Sequence, residues 1–251
     1  MPLLLLLAGC DLFDDLAGFT NPVVMEAMLV GVETPSIEVL DLAGTEFEGG
    51  TAATVLLADA TRYEELAEAP IEGAKVEISF DGQGWRSFRD DADGKYLIEE
   101  GLTYVPGAEI KVRVRGATDD EERGAFLRAP EPVDVSVPEI HPPGEPLVLR
   151  TDAAGVDTLA VVVLEAATGV VVFDNRPKTI EDVYALTHGQ GATAVEVPGV
   201  VFGRPGAYVI GVAGLAVTEA DGLENVNTTL SALAAGTIRF RALEVNEFEG
   251  D

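Results

Sequence analysis

A period of two runs through this chain and limits what it can fold into. Ala74 to Phe80 (AKVEISF) sets Ala74, Val76, Ile78 and Phe80 against Lys75, Glu77 and Ser79. Ile110 to Arg115 (IKVRVR) sets Ile110, Val112 and Val114 against Lys111, Arg113 and Arg115. Successive side chains of a strand point to opposite faces, so this alternation makes one face apolar and the other wet, whereas on a helix a period of two would scatter the apolar residues around the axis. Further strands are expected at Val23–Val32, Thr51–Ala58, Trp85–Arg89, Lys95–Glu99, Leu147–Arg150, Thr158–Leu164, Gly169–Asp174, Ala192–Val197, Gly206–Ala213 and Gly236–Val245. Thr158–Leu164 (TLAVVVL) is almost wholly apolar and predicts a strand buried on both faces. Asp81-Gly82-Gln83-Gly84 and Glu165–Gly169 (EAATG) supply hairpin turns. Short strands separated by turns predict an all-β chain of sandwiches. Trp85, the sole tryptophan, follows the Gly-rich turn; at the hairpin tip it would be an exposed binding aromatic, but the expectation is a core ring, because a large ring gains most from burial.

Ala129 to Pro146 (APEPVDVSVPEIHPPGEP) breaks the rhythm with prolines, which donate no hydrogen bond to a sheet. A boundary is expected near 140, giving sandwiches over 22–140 and 141–251, with VDVSV as a candidate last strand of the first. Arg62–Ala69 (RYEELAEA) predicts a short helix between strands, and Thr179–Thr187 a helical turn.

Charge narrows the partners. The chain carries 16 Lys and Arg against 44 Asp and Glu, a net charge of −28. A phosphate backbone would be repelled by such a surface, so nucleic acid is not an expected partner. Solubility, a salty habitat and divalent-cation binding are three readings of the acidity. Hydrophobic residues make up 47% of the chain, enough for a packed core and unlike a disordered composition.

The N-terminus reads Met1-Pro2-Leu3-Leu4-Leu5-Leu6-Leu7-Ala8-Gly9-Cys10. Its apolar run is far short of the roughly 20 residues that span a bilayer, and it ends in small residues as a signal peptide does. Leu7-Ala8-Gly9-Cys10 resembles the lipobox of bacterial lipoproteins. That resemblance implies cleavage before Cys10, acylation of its thiol and anchoring at a membrane surface. Residues 1–9 are then a signal peptide and residues 10–21 a tether. Cys10 is the single cysteine, so the exported chain would have no intramolecular disulfide. The region before the leucines has no Lys or Arg, a departure from the family's pattern.

Pro70-Ile71-Glu72-Gly73-Ala74-Lys75-Val76 and Asp93-Gly94-Lys95-Tyr96-Leu97 are similar to the opening and the D-G-x-Y turn of transthyretin-like, carboxypeptidase-regulatory-type β domains. Pro106-Gly107 before a strand fits the same modules. The order of lipobox, such a domain and a second sandwich resembles a family of envelope lipoproteins. The second half is similar in pattern to fibronectin type III or immunoglobulin-like sandwiches. These resemblances imply a fold and say little about activity.

Candidate chemistry is sparse. Laid on the EF-hand loop, Asp91, Asp93, Gly94 and Glu100 take the third, fifth, sixth and twelfth positions, but Arg89 occupies the first, where a carboxylate is required. Asp91, Asp93 and Glu100 are the calcium candidates, with Asp90 in a looser acidic loop. Asp119-Asp120-Glu121-Glu122 reads as a solvated run. His141 and His188 are the two histidines, far apart and without a thiol to share a zinc ion. No G-x-S-x-G elbow, P-loop or Rossmann fingerprint is present. No catalytic residue is expected. The expected role is that of a lipid-anchored cell-envelope protein, structural or binding, with an envelope protein or a carbohydrate as partner. A hydrolase with an acidic or metal-dependent site between the domains, and a calcium-stabilised adhesion module, are the alternatives.

Overall fold

The structure is a computed structural model that describes residues 21–36, 39, 50–61, 69–176, 193–218 and 220–246. The described residues are built from strands: β1 (Val23–Val32), β2 (Gly50–Asp59), β3 (Lys75–Phe80), β4 (Gln83–Ser87), β5 (Arg89–Asp90), β6 (Lys95–Ile98), β7 (Glu109–Arg115) and β8 (Arg123–Arg128). The second half adds β9 (Ile140–His141), β10 (Leu147–Arg150), β11 (Thr158–Glu165), β12 (Val170–Asp174), β13 (Ala194–Val197), β14 (Gly206–Val217), β15 (Leu223–Glu224) and β16 (Ala232–Val245). The chain is all-β, as its alternating pattern predicts.

Among the described residues the strands form three sheets. A long sheet runs β12-β11-β14-β16-β1-β2-β6-β5, with β9 added beside β16. A second sheet runs β15-β8-β7-β3-β4, and β10 and β13 make a third. The long sheet backs two cores. Val23, Met25, Ala27 and Leu29 of β1, Val55 and Leu57 of β2, and Leu233 and Ala235 of β16 pack with Val76, Ile78, Ile110, Val112 and Ala125 of the second sheet. Leu159, Val161 and Val163 of β11, Ile210 and Val212 of β14, and Leu243 and Val245 of β16 pack with Leu147, Leu149, Val195 and Val197 of the third. β16 therefore serves both cores with residues of one parity, as one face of a continuous strand must.

β14 is antiparallel to β16 over its full length, from Gly206↔Val245 to Val217↔Ala234. β1 joins β16 in parallel, from Glu26↔Ala232 to Val32↔Ile238. The first named strand and the last are thus neighbours, and the long sheet is continuous past residue 140. In the proline-rich stretch the first core ends at Ala129 and the second begins at Val133, and the chain returns to the first core with Leu223, Val226, Leu233 and Ala235. VDVSV forms no strand. Its Val133 and Val135 are buried in the second core, not the first. Gly214 makes room for this crossing, because a Cβ there would lie 2.0 Å from Val133 Cγ2.

β11 has partners on both sides and is buried on both faces, with Ala160 and Val162 turned away from the second core. Arg123–Arg128 is a strand that alternation does not announce, because Phe126 stands on its wet face. The helix expected at Arg62–Ala69 and the turn at Thr179–Thr187 lie outside the described residues, apart from Ala69. So do Cys10, most of the tether, His188 and the last five residues.

Candidate binding face

The outward side of the second sheet carries a mixed surface of rings and ion pairs. Val76 and Ile78 point into the first core, so Lys75, Glu77 and Ser79 point out. Across β7 the outward residues are Glu109, Lys111, Arg113 and Arg115. Register places Glu77 opposite Arg113, Ser79 opposite Lys111, Lys111 opposite Phe126, and Arg113 opposite Gly124. Gly124 in turn faces Glu224 of β15. The row Glu77–Arg113–Gly124–Glu224 therefore runs across four strands, and the glycine leaves a trough in it.

Trp85 lies on β4, the edge strand of this sheet, and is 39% exposed. The expectation of a core tryptophan is corrected here. The bulged pairing of β4 with β3 lifts the ring out of the sandwich, and Tyr96, Ile78 and Ile110 fill the interior. The Arg113 guanidinium carbon sits 3.8 Å from the Trp85 ring centroid, a cation–π contact. Among the described residues Phe126 is the second exposed ring, at 37%. Trp85, Phe126, Lys111, Arg113, Glu109 and Glu224 line a cavity of about 200 Å³ with Gly124 in its wall.

The ion pairs hold this surface in shape. Burial alone would raise the Glu77 carboxyl. Hydrogen bonds from Lys75, Arg115 and Arg113 reverse that and hold its pKa at about 2. Lys75 Nζ and Arg113 Nε each lie 2.9 Å from that carboxylate. Lys111 Nζ pairs with Glu109 at 2.9 Å, and Arg115 reaches Glu122 at 3.9 Å. On an alternating strand Arg113 reads only as a solvated cation. Neither its neighbour across the sheet nor its ring partner is local in sequence, so this face was not legible beforehand.

The calcium candidates are not brought together. Asp91 pairs with Arg89 at 3.4 Å and with Lys95 at 3.8 Å, so two cations occupy its oxygens. Asp93 sits in the left-handed region at φ 50°, its amide donating to Glu72, and Glu100 is exposed. No group of three or more His, Cys, Asp or Glu that could hold a metal ion forms among the described residues. The D-G-x-Y residues have a structural task instead. Gly94 has φ 68°, and a Cβ on it would fall 2.4 Å from the Leu57 carbonyl oxygen. The Tyr96 hydroxyl donates to the Ile71 carbonyl at 2.9 Å and accepts from the Ala74 amide at 3.0 Å. The motif thus fastens the start of β3 to β6.

The acidic run closes on a buried cation. Arg123, with 1% of its side chain exposed, holds Asp119 through two bonds of 2.9 Å, and these hold the Asp119 carboxyl at about 2. His141 is buried, its Nε2 2.9 Å from the Glu145 carbonyl and its ring edge-on to Phe202. Asn227 is fully buried and accepts from the Thr229 and Leu230 amides. At the meeting of the two cores lies a cavity of about 440 Å³ lined by Gly31, Thr51, Tyr104, Pro132 and Thr237. Its one carboxylate among the described residues is Glu33, which Arg239 holds at 2.7 Å.

No protein-family model matches the chain, and no curated protein matches it. Among solved structures it is similar to the FN1–FN3 domains of chicken CNTN1, at 12% identity and a TM-score of 0.26, over 78% of this chain and 63% of that one. It is similar to the N-terminal four Ig domains of Dscam1 isoform 7.44, at 13% identity and a TM-score of 0.22, over 85% of this chain and 51% of that one. The chain spans about half to two thirds of the length of the structures it matches.

Proposed function

We propose that this chain is a lipid-anchored protein of the bacterial cell envelope with a binding role. On this reading it is cut before Cys10 and held by acyl chains on that thiol, with two or more chains giving stable attachment where one is marginal. Its first part is read as a transthyretin-like module and its second as a fibronectin- or immunoglobulin-like one. The outward face of the second sheet is its contact surface. The observation that supports a binding role is the pair of exposed rings, Trp85 and Phe126, set beside ordered ion pairs on a regular sheet. Rings exposed among polar groups are the composition of a recognition surface, not of an ordinary solvated sheet.

Metabolic labelling with a palmitate analogue tests the anchor, with wild type beside Cys10→Ala and detergent phase partitioning after each. Label and detergent partitioning in the wild type alone support it. Absence of label from both would remove the anchor and leave the contact face to stand by itself.

A further inference from the structure

We infer that the outward face of β4, β7, β8 and β15 takes a neutral glycan, an inference that rests on the reading of this face as the contact surface. The argument begins with charge. The chain as a whole is at −28, yet the cavity on this face is lined by Lys111, Arg113 and Arg123 against Glu109, Glu122 and Glu224. These cations and carboxylates are equal in number, and Lys111 with Glu109 and Arg113 with Glu77 are paired at 2.9 Å. A polyanion meets no excess of positive charge there and is repelled by the rest of the chain. A polycation has stronger acidic sites elsewhere on the same molecule. The face therefore selects against both and suits a ligand with no net charge.

The groups present are those a sugar uses. A pyranose ring offers an apolar face of C–H groups and a rim of hydroxyls that both donate and accept. Trp85 and Phe126 offer flat apolar area at small entropic cost. The half-exposed Lys111–Glu109 pair offers a charged donor and acceptor side by side, and the Arg113 guanidinium, anchored on the buried Glu77, offers a further donor; charged groups bond hydroxyls more strongly than neutral groups do. Arg113 is held at both ends, by Glu77 and by the Trp85 ring, so little ordering remains to be lost on binding. Gly124 supplies the missing side chain: a Cβ there would lie 3.1 Å from the Val112 carbonyl oxygen and 3.6 Å from Glu224 Oε2.

The test is affinity electrophoresis of the full chain in mild detergent. Native gels contain dextran, glucomannan or hydroxyethyl cellulose as neutral probes, or alginate as a polyanion, at low and high salt. Retardation by a neutral probe that persists in high salt is expected, with binding roughly tenfold weaker in Trp85→Ala and in Phe126→Ala. Both rings are exposed, so each variant keeps its fold, which circular dichroism checks. Retardation by alginate alone, lost in salt and in Trp85→Ala, would overturn the neutral-glycan assignment and keep the face as a contact surface. Neutral-probe retardation that neither variant weakens would place the site elsewhere. Failure of every probe to retard the wild type would overturn the glycan inference, while the anchor stays open to its own labelling test.

Discussion

Glu26 stands opposite Ala232 across the parallel ladder of β1 and β16, its carboxyl buried and neither oxygen hydrogen-bonded among the described residues. Its neighbour on the other side is Leu56 of β2, so no charge answers it from either strand. Burial alone therefore raises its pKa well above the ordinary value of 4.5. The native state holds a proton that the unfolded chain releases. Stability from this residue is full below pH 4.5 and is lost as pH rises toward the native value. Urea melts of wild type and Glu26→Gln across pH 4 to 9 should show the wild type losing ground to the variant as pH rises. Glu26→Met should gain about 1–3 kcal/mol at neutral pH, by removing an unsatisfied buried acid. A wild-type-minus-Gln difference that does not move with pH would show that Glu26 does not titrate in this way.

Glu77 has the opposite sign. Its native pKa is held at about 2, below the ordinary 4.5, so its contribution is present above 4.5 and is lost as pH falls toward 2. The difference in unfolding free energy between wild type and Glu77→Gln should therefore shrink on acidification. The two glutamates tilt opposite arms of the pH–stability curve. In the double variant both tilts should vanish, since the residues lie on different sheets.

Gly94 and Tyr96 carry the third prediction. Gly94→Ala adds a Cβ against the Leu57 carbonyl at a left-handed backbone position. Such strain costs on the order of 1–3 kcal/mol before the clash is counted. Tyr96→Phe leaves the buried Ile71 carbonyl without its donor and should cost about 1–3 kcal/mol. Both should lower the thermal midpoint while leaving glycan retardation intact at temperatures where the variants are folded. Loss of binding with unchanged stability would instead give this turn a functional role.

What was legible in the sequence follows what is local. Val23–Val32 is a strand to the residue, and Lys75–Phe80, Ile110–Arg115 and Thr158–Glu165 fall within a residue or two of expectation, because alternation or sustained apolarity is written in consecutive positions. The parallel pairing of β1 with β16 is not written there. It joins residues some two hundred positions apart, and nothing at Glu26 points to Ala232. VDVSV shows how pattern misleads: it alternates like a strand, yet its flanking prolines cannot donate, and it crosses Gly214 as a buried connection. The contact face was hidden for the same reason, since Trp85, Arg113, Gly124 and Glu224 meet only through register. Arg89 already stood against a calcium loop at Asp91, Asp93 and Glu100 in the sequence, whereas spacing says nothing of Arg89 and Lys95 both turning onto Asp91.

That crossing gives the last prediction. Val133 packs where Gly214 has no side chain, and this contact ties the connection between the two cores to β14. Gly214→Ala forces a Cβ to within 2.0 Å of Val133 Cγ2, so something must shift. Overpacking of this kind costs about 1–3 kcal/mol. Val133→Ala alone loses buried methyl groups and leaves a small void, with a cost of its own. In the double variant the new methyl occupies part of the space that the old ones left. The double variant should therefore be more stable than the sum of the single changes predicts, by on the order of 1 kcal/mol. Guanidinium melts of the four proteins measure this directly. Simple additivity would mean that Val133 does not rest on Gly214 in solution, and that the connection between the cores is held by something other than this contact.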